Sequence, residues 1–173
     1  STMDLMDVIR SRRSIRKFRP DEIPQQDLDE IFEAVQLAPS ANNLQPWKFI
    51  LVKNDKKKRL IAQACSGQEF IGEAPMVVIA CAVGRGGYIG KYMESWPIDV
   101  AIAVTHLILS AWNKGLGTCW IGDFDEDKVR EICNIPVTVR VVAITPLGYP
   151  VKTAPSTSRR SLERIICQEN FSE

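Results

Sequence analysis

Three arginines and a serine lie within five residues near the start of the chain, and together these side chains could hold a phosphate. The cluster consists of Arg12, Arg13, Ser14 and Arg16. Guanidinium groups are planar, and their parallel N–H donors match phosphate oxygens in geometry and charge. The spacing therefore predicts an anion-binding site. Taken alone, the cluster fits a solvated charged patch as well as it fits an anion-binding site.

A second polar segment, residues 39 to 46, lies between two prolines and runs into an apolar stretch that begins at Trp47. Its candidate binding residues are Ser40, Ala41, Asn43 and Gln45. Side-chain amides both donate and accept hydrogen bonds. We predict a polar loop at the edge of a sheet that presents these groups to a ligand. For Asn43, an Asx-turn that closes the loop is the alternative.

Both segments follow predicted helices. Apolar residues on one face predict a helix over 4–11, directly before the arginine cluster. A second helix starts at Pro24 and stops before Pro39, since proline favours the first turn of a helix and disfavours its interior.

The pattern of apolar residues predicts eight further elements, and their alternation indicates an α+β or α/β sandwich with one sheet. A single domain over residues 1–173 fits this length. The predicted elements are strand 47–53, helix 54–65, strand 76–83, helix 97–112, strand 118–121, helix 125–132, strand 137–144 and helix 161–167.

The predicted helix 97–112 is apolar on nearly every face. Such a helix must be buried all round, and in a domain of this size that favours a subunit interface. His106, inside it, is interpreted as a core or interface histidine with a satisfied hydrogen bond. Asp99, near its start, is interpreted as a charge favoured by the helix dipole.

Composition argues against several classes of function. The net charge of +1 gives no support to binding of nucleic acid or membranes, so the basic run 56–59 is interpreted as a solvated helix face. Five widely spaced cysteines without a C-x-x-C pair, and a single histidine, argue against a disulfide framework and a structural metal site. We expect a cytoplasmic protein, because the sequence shows neither a signal peptide nor a membrane span.

Four motifs, in order and at compatible spacing, resemble the FMN-dependent nitroreductase family over about residues 5–166. They are the arginine cluster, the loop 39–47, the glycine turn 115–122 and the segment 147–163. The resemblance implies a nitroreductase-like α+β fold, with a central, mostly antiparallel sheet flanked by helices, in an intertwined homodimer.

The resemblance also implies roles for individual residues. The residues matching the phosphate and ribityl site of FMN are Arg12, Arg13, Ser14, Arg16 and, from the C-terminal segment, Arg159. Those matching a loop that lies against the flavin of the other subunit are Ser40, Ala41, Asn43 and Gln45. The backbone at Ile121 and Gly122 matches the segment that faces the flavin ring, although Gly122 is alternatively a simple turn glycine.

The implied function is an FMN-dependent oxidoreductase that transfers hydride from NADH or NADPH, through flavin N5, to a small-molecule acceptor such as a nitroaromatic or a quinone. The protein contributes position and electrostatics, so no catalytic side chain and no metal are predicted. The alternatives are a flavin-dependent dehalogenase, a flavin-fragmenting relative of the same fold, or a flavin-binding module without enzymatic activity.

Overall fold

The computed structural model describes residues 3–173, so the first two residues of the predicted domain lie outside the described part. The helices are α1 (Leu5–Ser11), α2 (Gln25–Gln36), α3 (Asp55–Ala64), α4 (Phe70–Glu73), α5 (Trp96–Asn113), α6 (Glu126–Cys133) and α7 (Leu162–Ile165). The strands are β1 (Trp47–Val52), β2 (Met76–Ala82), β3 (Tyr88–Ile89), β4 (Met93–Glu94), β5 (Gly117–Thr118) and β6 (Arg140–Gly148).

Three of the helices begin at a side chain that satisfies a free backbone N–H of the first turn. The Asp4 carboxylate accepts from the N–H of Asp7 at 2.8 Å. In the same way, Asn54 caps α3 and Asp125 caps α6. Each of these capping residues is also the first residue of a helix predicted from the sequence.

The main sheet has four strands in the order β1-β2-β6-β5, and every neighbouring pair is antiparallel. Strand β2 is buried along its whole length, as its continuous apolar sequence predicts. Together with the flanking helices, this sheet confirms the predicted α+β architecture. Strands β3 and β4 form a separate hairpin.

Helices cover both faces of the sheet. Alternate residues of β2 point to opposite faces, so each face has its own core. Val78 and Ala80 belong to a core with residues of α2 and α5. Val77 and Ile79 belong to a second core with residues of α3 and α6. The structure is therefore a three-layer sandwich in which α5 lies on the face opposite α3.

The structure differs from the predicted elements at several places. Helix α4 was not predicted, and the predicted helix 161–167 is reduced to α7 (Leu162–Ile165). Strand β6 runs over Arg140–Gly148, not 137–144, because residues 136–139 close a turn and the strand continues through Pro146. The predicted strand 118–121 is reduced to β5 and an isolated bridge from Ile121. The β3–β4 hairpin is not among the predicted elements, since two-residue strands leave no periodic signal.

The segment after α1 joins the sheet through β5. The Ile15 N–H donates to the Thr118 carbonyl at 2.8 Å, and Ser14 bridges Thr118 in parallel. Gly117 permits this approach, since a Cβ there would lie 2.6 Å from Cγ1 of Ile15. This contact places the arginine cluster beside the glycine turn.

Within residues 3–173, no helix combines the length and the apolar character needed to cross a bilayer.

Candidate functional site

A cleft of about 470 Å³ lies between the end of α1 and the segment around residue 157. Five guanidinium side chains line it, and no carboxylate is among its lining residues within the described part of the chain. The five are Arg10, Arg12, Arg13, Arg16 and Arg159. Ser14 and Thr157 add hydroxyl groups.

The positive charge of this cleft is not neutralised by the described residues, because none of the five arginines takes part in an ion pair there. Arg13 Nη1 donates to the carbonyls of Arg10 and Arg12 at 3.0 Å, which satisfies groups left free at the end of α1. Its buried Nε has no partner. Arg159 is exposed and donates to carbonyls of Thr157 and Ser158. The donor set fits an anion such as a phosphate.

The charge of Arg16 also extends toward the glycine turn. Burial raises the pKa of the Cys119 thiol, and the positive charge of Arg16 opposes that rise. Cys119 directly follows Thr118, which pairs with Ser14, so the arginine cluster and the glycine turn are adjacent in the fold.

Residues 39–46, which we call the amide loop, have a strained and internally bonded backbone. Asn42, Asn43 and Gln45 have φ values of 52°, 53° and 52°, in the left-handed region that asparagine tolerates better than most residues and glutamine rarely adopts. The Gln45 N–H donates to Ser40 Oγ at 3.0 Å, and Gln45 Nε2 donates to the Asn43 carbonyl at 2.9 Å. Such strain persists where the surroundings fix the conformation, and it often marks functional sites.

The internal bonds of the amide loop determine which of its groups can reach a ligand. Ala41 has neither backbone group free, because its carbonyl accepts from Leu44 and its N–H donates to Asp99. The exposed side-chain amide of Asn43 makes no hydrogen bond within the described residues. The available side-chain groups of the amide loop, among the described contacts, are therefore the amides of Asn42 and Asn43, Gln45 Oε1 and the hydroxyl hydrogen of Ser40.

Asp99 has a larger role than the predicted charge at a helix start. Its side chain is 2% exposed. Its Oδ1 accepts from the Ala41 N–H at 3.0 Å, and its Oδ2 accepts from the Ser95 hydroxyl at 2.7 Å. No local pattern in the sequence indicates this contact, since Ala41 and Asp99 are 58 positions apart.

The two predicted residues of the glycine turn differ in what their backbones offer. The Ile121 N–H donates to the Ile144 carbonyl at 2.8 Å, and the Ile121 carbonyl accepts in return, so neither group is free. Gly122 is exposed, and its N–H has no partner within the described residues. Of these two residues, Gly122 is therefore the one whose backbone N–H is free.

The structure brings five of the predicted site residues together in the arginine cleft, namely Arg12, Arg13, Ser14, Arg16 and Arg159. It keeps the others apart from that cleft: the amide loop and the glycine turn do not line it. Arg10 lines the cleft and was not predicted, although its position in the last turn of α1, three residues before Arg13, was a usable signal.

The family model for nitroreductases matches residues 9–83 and 62–149 of the chain. The chain belongs to the nitroreductase family. A solved structure of a nitroreductase family protein from Clostridium novyi NT is 40% identical, with a TM-score of 0.82 over 86% of this chain and 87% of that one.

Two further nitroreductases have similar length. A relative from Methanothermobacter thermautotrophicus, described provisionally as an NADH dehydrogenase/NAD(P)H nitroreductase, is 34% identical over 95% of this chain and 87% of its own. The structure of an FMN-dependent nitroreductase from Clostridium difficile R20291 is 27% identical, with a TM-score of 0.80 over 95% of this chain and 98% of that one. These likenesses confirm the family and the fold predicted from the sequence.

Proposed function

We propose that this nitroreductase binds FMN and transfers hydride from NADH or NADPH, through flavin N5, to a nitroaromatic or quinone acceptor. Membership of the family makes the protein an NAD(P)H-dependent oxidoreductase that uses FMN. The acceptor and the residues that hold the flavin are the proposed part. Bound FMN supplies the redox chemistry, while the chain binds and orients both substrates.

The arginine cleft is the observation that carries the proposal. A flavin phosphate has about two negative charges at neutral pH. The five unpaired guanidiniums of the cleft can neutralise it through charge-assisted hydrogen bonds. We assign Arg12, Arg13, Ser14, Arg16 and Arg159 to the phosphate and ribityl chain.

We place the flavin ring between the glycine turn and an amide loop. Gly122 contributes its free N–H to the ring edge, and Ile121 contributes apolar contact. Ser40, Asn43 and Gln45 present polar groups from the amide loop, while Ala41 contributes only its methyl group, since its backbone is already bonded. We take the amide loop from a second subunit, as the resemblance to the family implies.

A homodimer is therefore part of the proposal, and exposed apolar side chains support it. Every residue from 155 to 173 is exposed, including Leu162, Ile165 and Phe171 at 70%, 63% and 85%. Exposed apolar groups of this density usually mark an interaction surface. On α5, Ile98 is 44% exposed.

The test begins with purified protein saturated with FMN and freed of excess ligand. We expect one FMN per chain by absorbance and native mass spectrometry. Anaerobic addition of NADH or NADPH should bleach the flavin bands, and a nitroaromatic or quinone should restore them. Protein that takes up no FMN would overturn the proposal, and bound flavin that neither nucleotide reduces would favour a passive flavin-binding module.

Arg12→Ala tests the assignment of the cleft. Loss of one charge-assisted hydrogen bond should raise the FMN dissociation constant about tenfold or more. Arg59→Ala is the matched control, because Arg59 is an exposed arginine on α3 outside the cleft. Equal affinities in the two variants would refute the assignment.

The dehalogenase and flavin-fragmenting alternatives require a lid over the flavin. The segment available for one, residues 84–95, holds only the β3–β4 hairpin with two residues in each strand. Its shortness favours acceptor reduction. Product analysis after reoxidation by oxygen alone, which should return intact FMN, distinguishes these reactions.

A further inference from the structure

A buried carboxylate connects two loops that lie far apart in the sequence. Asp99, in the first turn of α5, accepts from the amide loop at Ala41 and from the Ser95 hydroxyl. Ser95 is 2% exposed, and its Oγ accepts from the Gly87 N–H at 2.7 Å. A continuous chain of hydrogen bonds thus runs from Gly87 through Ser95 and Asp99 to Ala41.

The segment that carries the β3–β4 hairpin, residues 84–95, which we call the hairpin arm, lies directly on this carboxylate. A Cβ at Gly86 would lie 2.8 Å from Asp99 Oδ2 and 2.6 Å from Ser95 Oγ. At Gly87, a Cβ would lie 3.2 Å from the Ala41 side chain. The two consecutive glycines therefore let the arm contact both the carboxylate and the amide loop.

Hydrogen bonds, not an ion pair, hold the Asp99 carboxyl group in place. No lysine or arginine pairs with it among the described residues. Its partners are the Ala41 N–H, the Ser95 O–H and the N-terminal end of α5. A buried polar group that loses a hydrogen-bond partner is costly, so loss of either loop contact should loosen the other.

We propose that Asp99 is a positioning residue that fixes the amide loop and the hairpin arm as one unit. It fixes the backbone at Ala41, which lies directly between Ser40 and the exposed amides of Asn42 and Asn43. The arm, with the exposed Tyr88 and Tyr92, takes its position from the same carboxylate. A displacement of the hairpin arm is therefore transmitted to the amide loop through Asp99. The role at the flavin rests on the proposed function, whereas the coupling of the loops does not.

The coupling is tested by hydrogen–deuterium exchange on the protein without FMN. In Asp99→Asn, an isosteric change, amides of both the amide loop and the hairpin arm should exchange about ten times faster or more. Ser95→Ala, which removes no atom that touches the amide loop, should also accelerate exchange at Ala41. Asp125→Asn is the control, because Asp125 caps α6 and contacts neither loop. Acceleration confined to one loop, or equal in the control, would overturn the coupling.

The positioning role is tested by FMN titration at a temperature where all variants are folded. Asp99→Asn and Ser95→Ala should both raise the FMN dissociation constant, and should raise the KM for the acceptor more than they lower kcat. If the wild-type protein binds no FMN, the proposed function fails while the exchange experiment still decides the coupling. If the wild type binds FMN and both variants bind it equally well, the positioning role is wrong.

Discussion

Lys58 shows at the scale of a single residue how burial can reverse an interpretation based on charge. The run 56–59 is basic and was predicted to be a solvated helix face. Lys58 is nevertheless only 5% exposed. Its Nζ donates to the Ala74 carbonyl at 2.6 Å and lies 3.3 Å from Asp55 Oδ1. Lys58 therefore links α3 to the end of α4.

We expect Lys58→Met to destabilise the fold, because it leaves the Ala74 carbonyl buried without a donor. The expected loss is about 1–3 kcal/mol in the free energy of unfolding, measured by chemical denaturation. Lys56→Met, at an exposed position of the same helix, should change it by less than about 0.5 kcal/mol. Equal stabilities of the two variants would show that the Lys58 contact contributes nothing.

At the scale of elements, one carboxylate joins α6 to the start of β6. Glu126 Oε2 accepts from the Val141 N–H at 2.8 Å and from Arg140 Nε at 3.1 Å, and Oε1 lies 3.2 Å from Arg130 Nη1. Burial alone raises the pKa of Glu126, but these hydrogen bonds and positive charges outweigh it and lower the pKa. The ionised carboxylate therefore stabilises the junction.

This lowered pKa predicts how stability depends on pH. A group whose pKa is lower in the folded state stabilises it above the unfolded pKa, and this contribution is lost as the pH falls through the folded pKa. Glu126→Gln should therefore reduce stability most near pH 7, and the difference from wild type should shrink below about pH 4. Denaturation at several pH values measures this. Glu131→Gln, exposed on the same helix, is the control, and a pH-independent difference for Glu126→Gln would contradict the assignment.

For the molecule as a whole, the proposed flavin site combines the arginine cleft of one chain with the amide loop of a second copy. The exposed side of α5 is the surface to probe. Ile102 is half-buried and Ile98 is exposed, whereas Ile108 is 9% exposed and belongs to the core between α2 and α5. A charge at Ile108 would therefore report on folding before it reports on assembly.

We expect the wild-type protein to be a dimer. The double variant Ile98→Glu/Ile102→Glu should shift it toward monomer, since each substitution places a charge in an apolar interface. Light scattering after size-exclusion chromatography measures the mass, and FMN titration of the same samples should show weaker binding. Leu60→Glu, at a 38% exposed position of α3 on the opposite face of the sheet, should leave both unchanged. A monomeric wild type, or a double variant that stays dimeric with full FMN affinity, would refute this interface.

The sequence by itself determined the parts whose cause is local. Helix starts were readable from capping residues such as Asn54, β2 from its continuous apolar run, and the arginine cluster and amide loop from side-chain chemistry. Tertiary structure alone decided which groups are free to act. The N–H of Ala41 is taken by Asp99, that of Ile121 by Ile144, and the amino group of Lys58 by Ala74. Each contact joins residues from different elements, so its formation depends on how those elements pack, which no local pattern records.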